Sequence, residues 1–486
     1  MISTHARHRP ARRRWRRRLS PAAAGLALAL VASAPPAAAA TPGPWAWGSD
    51  AAGQLCNGTS LTADQKYPST MGASNVAAVS GGESHTLLLD TRGTALTSDD
   101  RALACGSDEF GQLGDGNSGT AVGDKAAPVP VKAATGPGGT LQDLTDVKAV
   151  AGGANHSLAL RNDGTVWAWG HKKAVGDGGD CDVEIDPCAV TMAQQVPGLS
   201  GVSKIAAGNG YSLALVLLDG SLRSWGGNGL GSLGDGTTTE RLSPVNVKTP
   251  DGSANLVGVL DISAAEHSLA VWDNGTPGVL TDDKVLAWGG NARGQLGFAA
   301  DLNAHPLPTV VNNGLPDGII DVAAAAPGGF SMALRKDGAV WAWGANFAGQ
   351  LGRGFRTSGA DPLDPPCLCH PDAAKVLREK ITPTGSSKEE ALAGVTAIAV
   401  GSHHALAIND NGTPLVTTDD LVYAWGANEF GQLGNGFSSA DSTSRDPSAC
   451  DNAVCQDLAK PVKDSAGGNL TGARVIGAGG NHSLAA

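Results

Sequence analysis

The chain of 486 residues carries 35 basic and 46 acidic side chains, 41% hydrophobic and 4% aromatic residues, 68 glycines and 27 prolines. That composition excludes a mainly helical protein and points to a turn-rich, all-β chain. The basic residues are unevenly spread: eight arginines fall between Arg7 and Arg18, and without them 27 basic residues face 46 acidic ones, a net of −19 that repels phosphate backbones and argues against a nucleic-acid partner.

Residues 1–40 differ from everything after them. The arginine run is followed by an almost wholly apolar stretch from Ala22 to Ala34, then by Pro35-Pro36 and an alanine run. This is the order of an export signal, with cleavage expected after Ala40, and Arg13-Arg14 also admits the twin-arginine route. The apolar stretch is too short for a comfortable membrane span, so no stable membrane insertion is expected after cleavage. The compartment is therefore outside the cytoplasm, secreted or periplasmic.

From Thr41 onward one unit recurs. Its clearest copy, Ala151 to Gly170, places short runs at His156–Leu160 and Val166–Trp169 on either side of Asp163-Gly164, which predicts a β-hairpin. A Trp-Gly pair closes each copy, at Trp47, Trp169, Trp225, Trp288, Trp343 and Trp425, with Cys105 in place of the tryptophan in one more. That makes seven units with spacings of 58, 64, 56, 63, 55 and 82 residues, irregular because insertions vary while the hairpin does not. A loop of the type GQLGDG follows, as at Gly111 to Gly116, Gly231 to Gly236 and Gly431 to Gly436. A proline-containing outer strand comes next, at Pro128, Pro197, Pro244, Pro306, Pro383 and Pro461. Each unit thus supplies about four short antiparallel strands, the make-up of a propeller blade. The segment from Pro44 to Gly48 is a second hairpin strand without a first, and His482 to Ala486 a first without a second, so pairing them closes the ring. The expected fold is a closed seven-bladed β-propeller over residues 41–486.

The blocks AGGxxHSLAL, DGxVWAWG, GQLGxG and PxPV resemble the regulator of chromosome condensation repeat family over roughly residues 42 to 486. The resemblance implies a seven-bladed propeller. The family's nucleotide exchange on a nuclear GTPase is not carried over, because a leader and an acidic mature chain conflict with it. Secreted bacterial members, which include protein inhibitors of β-lactamases, fit the compartment better and imply a non-enzymatic, monomeric binder of another protein.

His85, His156, His267, His404 and His482 occupy equivalent places, but Tyr211 and Phe330 fill the same place elsewhere, which favours a packing role over a ring of metal ligands. Gln112, Gln295, Gln350 and Gln432 are read as partners of their own loop backbone. No metal or other cofactor is expected.

Eight cysteines in an exported chain suggest disulfides. Cys181 with Cys188 and Cys450 with Cys455 each enclose a short insertion. Cys56 and Cys105 replace a consensus glycine and tryptophan in neighbouring units and are expected to tie two blades together. Cys367-Leu368-Cys369-His370 has no second half of a zinc site nearby, and its connectivity stays open.

Insertions at Asp177 to Pro187, Gly354 to Lys380 and Phe437 to Lys460 are expected to decorate one face and to mark it as the binding face, with Phe298, Phe355 and Phe437 as exposed anchors. Longer hairpins on the opposite face carry Asp99-Asp100, Asp282-Asp283 and Asp419-Asp420, read as solvated turns rather than calcium sites. No nucleophile elbow, phosphate loop or HExxH helix is present. The rival readings are a polysaccharide lyase or hydrolase using the central mouth, which would need His171, His305, His370 and His403 or carboxylates to converge, and a glycan-binding module.

Overall fold

The computed structural model describes residues 43–486 apart from 60–63, 119–122, 135–139, 182–187, 277, 280–281, 358–368, 382–386 and 442–454. The strands form seven antiparallel blades around a central channel. Blade two shows the pattern. Its inner strand Val147–Gly152 leads through a glycine turn to His156–Arg161, the Asp163-Gly164 hairpin follows, and Val166–His171 then pairs with the outer strand Ala189–Gln195. Gly164 adopts φ +78°, the left-handed backbone this reversal requires.

Strand edges are removed by joining the two ends of the chain. Trp45–Gly48 pairs with His482–Ala485 in the register Trp45 to Ala485 and Gly48 to His482, completing a four-stranded blade with Gln65–Thr70 and Ile476–Ala478. The expected propeller and its closure are both present.

Two outer-strand assignments change. In blade five the outer strand is Cys369–Lys375, so Pro371 and not Pro383 carries the proline; residue 383 lies outside the described residues. In blade two Pro197 follows the outer strand rather than sitting in it. The insertion Gly354 to Lys380 is also divided between faces. Its described start, residues 354–357, belongs to the loop that precedes the outer strand, and 358–368 lie outside the described residues. Leu377–Ile381, after that strand, opens a hairpin with Ser387–Ala391 on the opposite face and pairs in parallel with Cys455–Pro461 of the next blade. Lys132–Ala134 and Leu141–Asp143 form an equivalent hairpin against blade two. In both cases four-strand periodicity hid an extra ribbon that pairs across a blade boundary.

A disulfide joins Cys56, in the loop after the N-terminal strand, to Cys105 in blade one, and another joins Cys181 to Cys188. Cys369 and Cys455 are also disulfide-bonded. Cys450 and Cys367 lie outside the described residues, as does the expected Cys450–Cys455 pairing. Cys56 and Cys105 are fully buried and 49 residues apart, so the bond pins the closing strand to the first blade. Loop-closure entropy assigns it about 4 kcal/mol, against about 2.5 kcal/mol for the short ring at Cys181. Replacing Cys56 and Cys105 by serine should therefore lower the denaturant midpoint more than the same change at Cys181 and Cys188; an equal loss from both pairs would show that the first bond does not hold the ring closed.

Candidate functional site

The repeated histidines sit between blades and not in an open site. In five seams the imidazole Nε2 lies 2.7–2.9 Å from a hydroxyl on the next blade: His85 on Ser157, His156 on Ser212, His267 on Ser331, His404 on Ser483 and His482 on Thr86. Each of those hydroxyls donates to a loop carbonyl, for example Ser157 to Gln112 O at 2.8 Å and Ser331 to Gln295 O at 2.8 Å. The hydroxyl hydrogen is thereby used, so Nε2 carries the imidazole proton and donates. The same carbonyl also accepts the indole N–H of the blade's tryptophan, as from Trp169 to Gln112 O and from Trp343 to Gln295 O, both 2.8 Å. Glycines lie beneath four of the rings: a Cβ on Gly82, Gly153, Gly401 or Gly479 would fall within 2.4 Å of the histidine Cε1.

The exceptions follow the chemistry. Tyr211 reaches Ser268 with its own hydroxyl at 2.7 Å. Phe330 has no polar group, and the next blade carries Ala405 where the others have Ser or Thr. The packing reading of these positions therefore gains a specific content, which the serine or threonine after His85, His156, His267 and His482 already encoded.

Loop glutamines hold their own backbone: Gln112, Gln295, Gln350 and Gln432 accept at 2.8–2.9 Å from the amides of Phe110, Arg293, Ala348 and Phe430. The four non-repeat histidines do not converge. Each packs tilted or edge-on against a phenylalanine, His171 on Phe110, His305 on Phe298, His370 on Phe355 and His403 on Phe347, with centroids 5.0–5.2 Å apart. In the paired-aspartate hairpins the first carboxylate accepts from a threonine hydroxyl, Thr94 to Asp99, Thr276 to Asp282 and Thr413 to Asp419, while Asp100, Asp283 and Asp420 are buried.

Two of the three candidate anchors stand out from the loop-bearing face. Phe355 and Phe437 are 44% and 45% exposed. Their carbonyls are fixed by the same construction in adjacent blades, Asn346 Nδ2 to Phe355 O at 3.0 Å and Asn428 Nδ2 to Phe437 O at 3.1 Å. Tyr67, partly exposed, lies beside Gly436 and extends the aromatic surface at Phe437. Phe298 is partly buried, its ring packed against the apolar cluster of blades four and five and edge-on to His305.

Composition gave no sign of one feature of the channel. Lys204, Asp261 and Asp321 occupy the same position on the inner strands of blades three, four and five. Lys204 bonds Asp261, whose other oxygen accepts from Val322 N at 3.2 Å. Burial, with the Asp261 charge beside it, pushes the Asp321 carboxyl well above the ordinary range. Aligning the inner strands would have placed the three together. The cavity at the glycine-turn end of the channel measures about 120 Å³, walled by residues such as Gly82, Gly153, Gly208, Ala265 and Gly479. It is well below the ~300 Å³ at which ligand pockets begin.

A family model described as an RCC1-like domain matches residues 45–368, and models of the regulator of chromosome condensation (RCC1) repeat match 395–432 and 419–486. The chain belongs to the RCC1 repeat family. Among curated proteins it is similar to the Arabidopsis thaliana ultraviolet-B receptor UVR8, 29% identical over 81% of this chain and 74% of that protein. It is also 29% identical to the human E3 ubiquitin-protein ligase HERC2, over 76% of this chain but only 6% of the ligase. Among solved structures, yeast Prp20p, described with its binding to Gsp1p and histones, matches at TM-score 0.62 and 19% identity over 92% of each chain. Human WBSCR16 matches at 0.64 and 20% over 91% of this chain and 99% of that one. RCC1-like propellers commonly mediate protein binding.

Two outcomes test the seams. Ser331→Ala should cost about 1–3 kcal/mol by stranding the His267 N–H, whereas His267→Phe with Ser331→Ala, which copies the natural Phe330 and Ala405 pair, should cost less than the sum of the single changes by at least ~1 kcal/mol; strict additivity in denaturant melts would contradict the latch. Burial pushes His85 down to about 4 and His156, His267, His404 and His482 down to about 3. The unfolded chain therefore binds more protons below pH ~6.5, and stability should fall as pH drops from there toward 4, by up to about 1.4 kcal/mol per pH unit for each histidine. Above pH 7 these groups contribute no slope, and a melting temperature that stays flat between pH 6.5 and 4.5 would show the rings are not held neutral.

Proposed function

We propose that residues 1–40 export the chain and are removed, and that residues 41–486 act as a monomeric, non-enzymatic propeller that binds another protein through the loop-bearing face. The observation that carries this reading is the outward pair Phe355 and Phe437, each pinned by an asparagine of its own loop and presented from neighbouring blades. Disulfides suit an oxidising compartment, and among the described residues no helix is long and apolar enough to cross a membrane. The net of −19 after residue 40 disfavours nucleic acid as the ligand. Against a polysaccharide lyase or hydrolase, the non-repeat histidines are each engaged with a phenylalanine, and the Lys204–Asp261 ion pair braces adjacent inner strands.

Affinity capture from the native extracellular fraction, with residues 41–486 as bait, tests the proposal. One partner should be retained by the parent chain, and Phe355→Ser with Phe437→Ser should weaken it by about tenfold or more. A partner retained equally by the double variant would move the site off this face, and turnover of a polysaccharide with no retained protein would overturn the binding reading.

A further inference from the structure

The face that carries the hairpin tips has a groove of its own between blades three and four. It is a cavity of about 310 Å³ lined by Leu256, Val257, Trp272, Asp219 and Asp273. Its lip is apolar: Leu217 and Leu218, at the tip of the blade-three hairpin, are 75% and 94% exposed. Val257 and Leu260 beside it are also exposed, and so is Ile320 on the next inner strand. Backbone bonds hold these pieces together, Gly258 N to Asp219 O at 3.1 Å and Val259 N to Gly220 O at 3.1 Å.

The repeat varies in charge at the position beside this groove. In blades two and five the residue ending the first hairpin strand is an arginine, and its Nε donates to the carbonyl just before the inner strand, Arg161 to Thr145 O and Arg335 to Asp317 O, both 3.0 Å. In blade four Trp272 makes the same bond, Nε1 to Val257 O at 2.9 Å, without bringing a charge. The residue that follows is Asn162 in blade two, Lys336 in blade five and Asp273 in blade four. Relative to blades two and five a cation is thus replaced by an aromatic ring, with the exposed Asp219 carboxylate at the rim and the buried Asp273 carboxylate, which accepts from Gly275 N at 2.9 Å, behind it. Among the described residues neither Asp219 nor Asp273 takes part in an ion pair. Backbone and side-chain hydrogen bonds from Ser221 hold the Asp219 carboxyl below its ordinary range, so it is anionic at neutral pH.

We propose that this groove is a second docking surface, for a cationic segment of a partner protein, taking an arginine or lysine whose stem lies on Trp272 and whose head group pairs with Asp219, with a flanking aliphatic residue on Leu217 and Leu218. An aromatic face with carboxylates beyond it matches a long cationic side chain along its whole length. The surface is independent of the loop-bearing face and stands or falls without it.

The test uses residues 41–486 and an amidated peptide of three Arg-Leu repeats, with a Glu-Leu counterpart, followed by titration calorimetry at low and high salt. The arginine peptide should bind with a dissociation constant below about 1 mM and weaken with salt. Leu218→Glu and Asp219→Asn should each weaken it about fivefold or more, while Phe355→Ser with Phe437→Ser leaves it unchanged. Leu218 is too exposed for its substitution to disturb folding. No binding of the arginine peptide, equal binding of the glutamate peptide, or indifference to both groove substitutions would overturn the proposal. So would self-association of the chain that Leu218→Glu abolishes, since the occupant would then be a second copy.

Discussion

The ring depends on a loop carbonyl shared by an indole and a hydroxyl at five of its seven seams. A carbonyl such as that of Gln112 accepts from the indole of Trp169 and from the hydroxyl of Ser157, and the hydroxyl in turn accepts from an imidazole on the previous blade. Every group in the chain is buried, so each donor lacking its acceptor would carry the full cost of desolvation. This explains why tryptophan, histidine, serine and the GQLG loop recur together, and why a change in one is matched in another. Phe330 meets Ala405, and Cys105, which cannot donate as an indole does, is tied to Cys56 by a covalent bond. At that seam, among the described residues, Gln54 O keeps the hydroxyl of Thr86 as its side-chain donor, at 2.7 Å.

Much of this was legible in the sequence because a repeat states the same fold many times. The hairpins, the blade count, the closure by Trp45–Gly48 and His482–Ala485 and the pairing of Cys56 with Cys105 all follow from where the repeat is kept and where it is broken. What escaped was whatever repeats do not encode. The ribbons Lys132–Ala134 with Leu141–Asp143 and Leu377–Ile381 with Ser387–Ala391 lie in insertions, and their parallel contacts to the next blade have no local signal. Phe298 follows the GQLG turn directly and Phe355 two residues later, and the asparagine of each loop holds Ala299 O in one and Phe355 O in the other, so the partly buried ring and the exposed one occupy different places in the loop.

The two faces use their side chains differently. On the loop-bearing face the apolar surface is aromatic and rigidly presented, at Phe355, Phe437 and Tyr67. On the hairpin-tip face it is aliphatic, from Leu96 through Leu217 and Leu218 to Leu415 and Val416, and interleaved with aspartates. Between them the channel is walled by glycine and alanine, with Lys204, Asp261 and Asp321 as a charged girdle across three blades. A rigid ring whose wall is closed by small residues leaves the outer loops as the part free to differ in chemistry.

Hydrogen exchange on residues 41–486, alone and with the captured partner, tests the central functional claim most directly. Slowed exchange confined to the backbone around Phe355 and Phe437, with the inner strands unchanged, is the predicted result. Protection centred on the inner strands that carry Lys204, Asp261 and Asp321, and absent from those loops, would contradict the account and return attention to the channel.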